Sequence, residues 1–116
     1  MYLTAGSGGI YLSANDGVNG QELHYSQGDA FSTNMVKDIW PGVNNSSNPM
    51  WLTKFGAQMI FSADDGENGR ELWITDNTEE GTRMIKDISS GNNSSYPTGP
   101  MKEMDGFVYF SANDGI

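Results

Sequence analysis

Two acidic segments of the chain carry residues that could bind a metal ion. Asp16 opens the sequence Asp-Gly-Val-Asn-Gly and Asp65 opens Asp-Gly-Glu-Asn-Gly, and a glutamate follows two residues after each segment. Clustered oxygen atoms on a tight turn suit Ca²⁺, which takes about six to eight oxygen ligands. The spacing is not that of an EF-hand, and Asp-Gly and Asn-Gly are also strong signals of a hairpin turn. A calcium site and a plain turn are therefore two open interpretations, and we expect no other cofactor.

A second set of residues has the composition of a sugar site. Such sites combine an aromatic face with amide and backbone hydrogen bonds. Trp40 and Tyr96 each precede a proline and lie in loops rich in Asn, Gly and Ser, and we expect both to be exposed. Trp51 and Trp73 lie on predicted strands, where we expect them to fill the core. The sequence thus predicts glycan binding by the residues of the two loops, which are Trp40, Asn44, Asn45, Asn92, Asn93 and Tyr96.

Catalytic residues are difficult to assemble from this chain. The single histidine, His24, stands where the second copy of an internal repeat has Trp73, which favours packing over general base catalysis. The chain has no cysteine, and its only arginines are Arg70 and Arg83. We therefore expect no enzyme activity. A sialidase-like propeller enzyme is a distant third hypothesis, against which the missing arginine cluster counts.

The elements that position these residues are copies of one repeat. Residues 13–23 return as 62–72, and their opening returns again at 111–115, with a spacing of 49 residues both times. Matching 7–49 onto 56–97, with Val43 skipped, gives nineteen identities. Residues matched in this way, and residues of 56–66 matched to 105–115 at the same spacing of 49, are called counterparts below. A period of about 20 to 50 residues marks a repeat architecture. We divide the single repeat domain, 1–116, into a partial repeat 1–6, repeats 7–55 and 56–104, and a partial repeat 105–116.

Each period contains four strand-like runs separated by turn residues. In the second copy they are residues 57–63, 71–75 and 82–88, and the first copy ends with a fourth run at 51–55. This pattern predicts an all-β chain of β-propeller-type blades, each a four-stranded antiparallel sheet, with about 2.4 repeats of 49 residues in the 116-residue chain. A β-sandwich is the alternative.

Two structural expectations follow from the repeat. Four turn glycines, Gly17, Gly20, Gly66 and Gly69, should have positive φ, which glycine adopts freely. The interior should contain apolar residues at equivalent positions of the two copies. In the second copy these are Leu52, Ile60, Leu72, Met84 and Ile88, and in the first copy Leu3, Tyr11, Leu23, Met35 and Ile39.

The second copy also resembles a known family. Residues 71–82 read Glu-Leu-Trp-Ile-Thr-Asp-Asn-Thr-Glu-Glu-Gly-Thr, followed by Ile-Lys-Asp-Ile at 85–88 and Ser-Ser-Tyr-Pro at 94–97. This resembles the ELWxxDGT repeat proteins. The resemblance implies propeller-like blades in large, mostly bacterial proteins, secreted or surface-associated, without a well-defined common activity. Asn77 replaces the glycine of the motif, and His24 replaces its tryptophan in the first copy, so the resemblance does not imply equal binding by the two copies.

Charge and hydropathy restrict the partners. A net charge of −9 without a basic stripe argues against nucleic acid and anionic membrane surfaces. No apolar run approaches the roughly 18 residues of a membrane span, and the N-terminus lacks the pattern of a signal peptide. Two blades would leave open sheet edges, so we expect self-association, unless these residues belong to a longer array. The sequence thus predicts a non-enzymatic, lectin-like or adhesive module, secreted or at the cell surface, with a purely structural scaffold as the alternative.

Overall fold

The described part of the chain consists of β-strands and the segments that connect them. The computed structural model describes residues 3–6, 8–29 and 31–116. Within these ranges no helix occurs, and so none that could cross a membrane. The strands are β1 (Leu3–Gly6), β2 (Gly9–Asn15), β3 (Gln21–Ser26), β4 (Asn34–Lys37), β5 (Met50–Phe55), β6 (Gln58–Asp64), β7 (Arg70–Thr75), β8 (Arg83–Lys86), β9 (Thr98–Met104) and β10 (Phe107–Ser111).

The strands form three antiparallel sheets in chain order. The first sheet is β1-β2-β3-β4, the second is β5-β6-β7-β8, and the third is the hairpin β9-β10. The prediction of an all-β chain is confirmed, and the four runs proposed for each period correspond to strands. The described strands close no barrel.

The second sheet begins at Met50, before the predicted start of the second repeat at residue 56. The run at 51–55, assigned to the end of the first repeat, lies in β5 and pairs with β6 of the second sheet. Phe55 pairs with Gln58 across a two-residue turn, whereas twelve residues, 38–49, separate β4 from β5. Short connections favour pairing of consecutive strands, so β5 joins the strand that follows it.

The turn glycines adopt the backbone conformation that the sequence predicts. Gly17 and Gly20 have φ of 88° and 77°, and Gly66 and Gly69 have φ of 83° and 72°. These angles lie in a region that residues with a side chain rarely adopt. The predicted hairpins between β2 and β3 and between β6 and β7 are confirmed.

Two apolar cores separate the three sheets. The first core, between the first and second sheets, contains Tyr11, Leu23, Ile39, Leu52, Met59, Phe61, Ala63 and Trp73. The second core, between the second and third sheets, contains Ile60, Leu72, Ile74 and Met101. Successive side chains of a strand point to opposite faces, so Phe61 enters the first core and Ile60 the second. The middle sheet is therefore buried on both of its faces.

The predicted interior is largely confirmed. Six of its members are buried: Tyr11, Leu23, Ile39, Leu52, Ile60 and Leu72. Met35, Met84 and Ile88 are half-buried at the periphery, where β4 and β8 form the outer edges of their sheets. The side chain of Leu3 lies outside the described part of the structure. Trp73 is buried as expected, and Trp51 is half-buried against the second core.

Candidate functional site

Two long loops hold most of the residues that we expected to bind a ligand. The first loop, 40–49, lies in the connection between the first and second sheets, and the second loop, 89–97, lies in the connection between the second and third sheets. The buried carboxylate of Glu71, on β7, holds the second loop: it accepts hydrogen bonds from the backbone N–H groups of Ile88, just before the loop, and Ser95, both at 3.0 Å, and of Ser89 at 3.3 Å. The Ser95 hydroxyl also donates to it. One strand residue thus fixes both ends of the loop.

Glu22 anchors the first loop in the same way. It accepts the N–H groups of Ile39 and Ser47 at 3.0 Å and of Trp40 at 3.4 Å, together with the Ser47 hydroxyl. Burial raises the pKa of Glu22, although these donors oppose the effect. Sequence reasoning missed the two glutamates as loop anchors. The available signal was that a Glu on a strand and a Ser 25 or 24 residues later recur in both copies.

A cavity of about 500 Å³ opens between the second loop and the turn after β10. The Ser95 carbonyl accepts the N–H of Asn113 at 2.7 Å, as the Ser47 carbonyl accepts that of Asp64 at 3.0 Å in the first copy. The turn is therefore placed by a contact that recurs in the repeat. The cavity is lined by Ser89, Asn92, Asn93, Ser94, Tyr96, Asn113 and Gly115.

The structure divides the predicted ligand-binding set between two places. Asn92, Asn93 and Tyr96 line the cavity, whereas the remaining members lie in the first loop and do not contribute to it. The cavity lining also contains four residues that were not among the predicted ligand-binding residues, namely Ser89, Ser94, Asn113 and Gly115. Asn113 and Gly115 could not be assigned because the sequence alone does not say that the turn after β10 packs against the second loop.

Tyr96 has an unusual backbone for an aromatic residue. Its φ is 49°, and its side chain is 63% exposed, as expected from the adjacent proline. Its counterpart in the first loop is Asn48, with an almost identical φ of 48°. Asparagine tolerates this left-handed conformation, whereas a bulky side chain is strained in it. The second loop therefore holds an exposed aromatic ring at a backbone position that disfavours one.

Trp40 is less exposed than its sequence context suggested. It is half-buried, and its indole lies over Gly66 of the following sheet. A Cβ added at Gly66 would lie 2.4 Å from Trp40 Nε1. In the same loop, Asn45 Nδ2 donates to the Pro41 carbonyl at 2.8 Å, and the Asn44 N–H donates to the Val18 carbonyl at 2.9 Å. The first loop is consequently packed where the second is open.

The acidic segments form hydrogen-bonded turns. Asp16 Oδ1 accepts the N–H groups of Val18 at 2.8 Å and Asn19 at 2.7 Å, and these bonds lower the pKa of Asp16 to about 2. Asp65 accepts the corresponding bonds, which outweigh its burial, so that its pKa is also lowered. No group of three or more His, Cys, Asp or Glu side chains suited to a metal occurs in the described ranges. The geometry thus supports the turn interpretation, and calcium stays a prediction without further support.

His24 lies on β3 and is almost fully buried. Its Nδ1 is 3.2 Å from the carbonyl oxygen of Glu22 on the same strand. The ring therefore faces the protein interior, in agreement with the packing role that we expected for it.

Comparison of the chain with models of protein families, with curated proteins and with solved structures gave no match. The resemblance to ELWxxDGT repeats therefore rests on the residues quoted above.

Proposed function

We propose that this chain is a non-enzymatic repeat module that binds neutral glycans in the cavity beside the second loop. The described side chains that line the cavity are amides, hydroxyls and one tyrosine, and none of them carries a formal charge at neutral pH. Amides and hydroxyls can donate to and accept from sugar hydroxyls, and the tyrosine ring offers a face for the apolar side of a pyranose. With a net charge of −9, the protein would repel anionic sugars.

The strained position of Tyr96 is the observation that carries this proposal. Backbone strain of about 1–3 kcal/mol persists only where the surrounding structure enforces it, and it clusters at binding and active sites. The first loop has the same φ with a tolerant asparagine, so the fold itself does not need an aromatic residue there. An exposed aromatic side chain that costs stability points to a role in binding.

The substitution Tyr96→Asn tests the proposal, because it copies the residue of the first loop into the second. A glycan array would first identify a ligand for the unchanged chain, and calorimetry would then measure its affinity. We expect Tyr96→Asn to weaken binding by about tenfold or more, since the loss of ring contact costs roughly 1.4 kcal/mol or more. The thermal unfolding midpoint of Tyr96→Asn should be equal to that of the unchanged chain or higher.

Asn44→Ala, in the closed first loop, is the control that should retain affinity, while its counterpart Asn92→Ala should lose it. An array without any bound glycan, or full affinity in Tyr96→Asn, would refute the proposal.

We also propose that the three sheets are blades of a propeller type. Support comes from the first strands of successive sheets, since β1 contacts β5 and β5 contacts β9. A row of first strands with the sheets stacked face to face is the arrangement around a propeller axis. A two-sheet sandwich would instead leave each sheet one outer face, whereas the second sheet has both faces buried. The family resemblance supports a location outside the cell or at its surface.

A self-associating structural scaffold is the second candidate function. The third sheet exposes Phe107 and Tyr109, and the counterpart of Tyr109, Ile60, is buried in the second core. A second copy carries the same apolar hairpin and could cover it by a two-fold, hairpin-to-hairpin contact. Light scattering at low micromolar concentration should then give a dimer that Tyr109→Thr weakens. A monomer at every accessible concentration would exclude this candidate and leave the glycan proposal unaffected.

A further inference from the structure

The two loops differ at the residue that faces the following glycine turn. This residue is Trp40 in the first loop and its counterpart Ser89 in the second. The glycine opposite Trp40 is Gly66, with φ of 83°, and the glycine opposite Ser89 is Gly115, with φ of 87°. The two glycines therefore have nearly the same φ and differ in what fills the space above them.

The distances to an added Cβ describe that difference. At Gly66 the Cβ would lie 2.4–2.8 Å from three indole atoms of Trp40, so the ring lies directly against the glycine. At Gly115 the nearest atom would be the Ser89 hydroxyl oxygen, at 3.1 Å. Both Ser89 and Gly115 line the cavity. Among the described residues no other atom beyond the chain neighbours would lie within 4 Å of that Cβ, so Gly115 is uncovered where the indole covers Gly66.

We infer that the Trp40 indole marks the ligand position, and that a bound pyranose ring lies flat over Gly115 as this indole lies over Gly66. The inference rests on the proposed glycan function and specifies its pose. A glycine surface without Cβ lets a ring approach the backbone closely. Ser89 determines whether the ring can enter, while Tyr96 and Asn92 contact it from the second loop. Of the two loops, only the second then offers an open site, because Trp40 blocks the equivalent place in the first.

The test is Ser89→Trp, which should place an indole in the chain's own cavity. The first loop already holds a tryptophan at this position, so the fold should accept it. We expect binding of the array-identified glycan to fall below detection by calorimetry, a loss of at least a hundredfold. In the matched control, Ser90→Trp, the new side chain replaces the neighbouring exposed serine and should leave affinity within about twofold.

A second measurement does not depend on the ligand. The difference in fluorescence between Ser89→Trp and the unchanged chain should show blue-shifted emission, shielded from iodide, as expected of an indole seated over Gly115. An exposed indole in Ser89→Trp would overturn the inference, as would full glycan affinity in that variant. Absence of glycan binding by the unchanged chain would instead refute the proposed function and this pose together. Binding by the unchanged chain that survives Ser89→Trp would refute the pose alone.

Discussion

The first and second loops are held by equivalent hydrogen bonds, but the first has a covered surface and the second an open one. Each is held by a buried glutamate, and each presents a serine carbonyl to the turn of the following sheet. Trp40 closes the first against Gly66, whereas Ser89 leaves the second open and Tyr96 stands exposed beside the opening. The repeat therefore keeps the residues that hold the loop, and two exchanged side chains change its surface.

The two cores also differ, because the first is covered more completely than the second. The first core lies between two four-stranded sheets, and the second between a four-stranded sheet and a hairpin. Phe61 has no exposed surface, but its counterpart Phe110 is 36% exposed. Both residues are phenylalanines at the same repeat position, so a comparison of Phe61 with Phe110 isolates the effect of burial on stability from that of residue type.

The largest expected effect is that of Phe61→Ala. Removing a fully buried phenylalanine from a packed core typically costs about 3–5 kcal/mol. Phe110→Ala should cost about 1 kcal/mol or less, since this side chain keeps part of its contact with water. Urea unfolding measures both. Equal losses would mean that the second junction is packed as tightly as the first, contrary to the comparison.

Removal of a loop anchor should come next in size. Glu71→Ala leaves the N–H groups of Ile88 and Ser89 without their acceptor, and each buried unsatisfied group costs about 1–3 kcal/mol. We expect a loss of about 3 kcal/mol from Glu71→Ala, and a similar loss from Glu22→Ala in the first loop.

The two anchors should differ in their effect on binding. Glu71→Ala should also weaken glycan affinity, because the loop that it holds lines the cavity, whereas Glu22→Ala should not. Affinity is to be measured well below the unfolding midpoint of each variant, so that only folded protein is compared. An equal effect on affinity would place the ligand elsewhere.

The glycines opposite the loops give a matched pair of smaller effect. Gly66→Ala and Gly115→Ala both force a side chain into positive φ, at about 1–2 kcal/mol each. Only Gly66→Ala also meets an indole, and overpacking of this kind adds about 1–3 kcal/mol. Thermal unfolding should therefore rank Gly66→Ala as clearly less stable than Gly115→Ala. The reverse order would contradict the packing of Trp40.

The strands and turns could be predicted from the sequence because they depend on residues that are close together in the chain. The short strand-like run at 57–63 and the Asn-Gly and Asp-Gly pairs that bound it act between near neighbours, and the glycines adopt the expected φ. The cavity could not be predicted, because it depends on packing between segments that are distant in sequence. Nothing near Trp40 indicates that its ring meets Gly66, and nothing near Asn113 indicates Ser95. The sequence did contain one unused signal, the recurrence of Glu22 and Ser47 as Glu71 and Ser95.

The smallest expected effect concerns pH and the first acidic turn. Hydrogen bonds from the backbone N–H groups of Asn19 and Val18, and from the Asn19 side chain, lower the pKa of Asp16 to about 2 in the folded chain, from an ordinary value of 3.8. A lowered carboxyl pKa contributes stability that is present above the ordinary value and is lost as pH falls through about 2.

Asp16→Asn keeps an oxygen acceptor in the turn and removes the titration. The stability difference between the unchanged chain and Asp16→Asn should therefore be constant above about pH 5 and should shrink between about pH 4 and pH 2. The difference is the informative quantity, because other groups also titrate. The raised pKa of Glu22 contributes an opposite trend, in which stability falls as pH rises, and the lowered pKa of Asp65 contributes in the same direction as Asp16. Glu79→Gln removes the same unit of charge from an exposed residue and controls for net charge. A stability difference that stays constant from pH 6 to pH 2 would show that the Asp16 carboxylate is no better stabilised in the folded turn than in the unfolded chain.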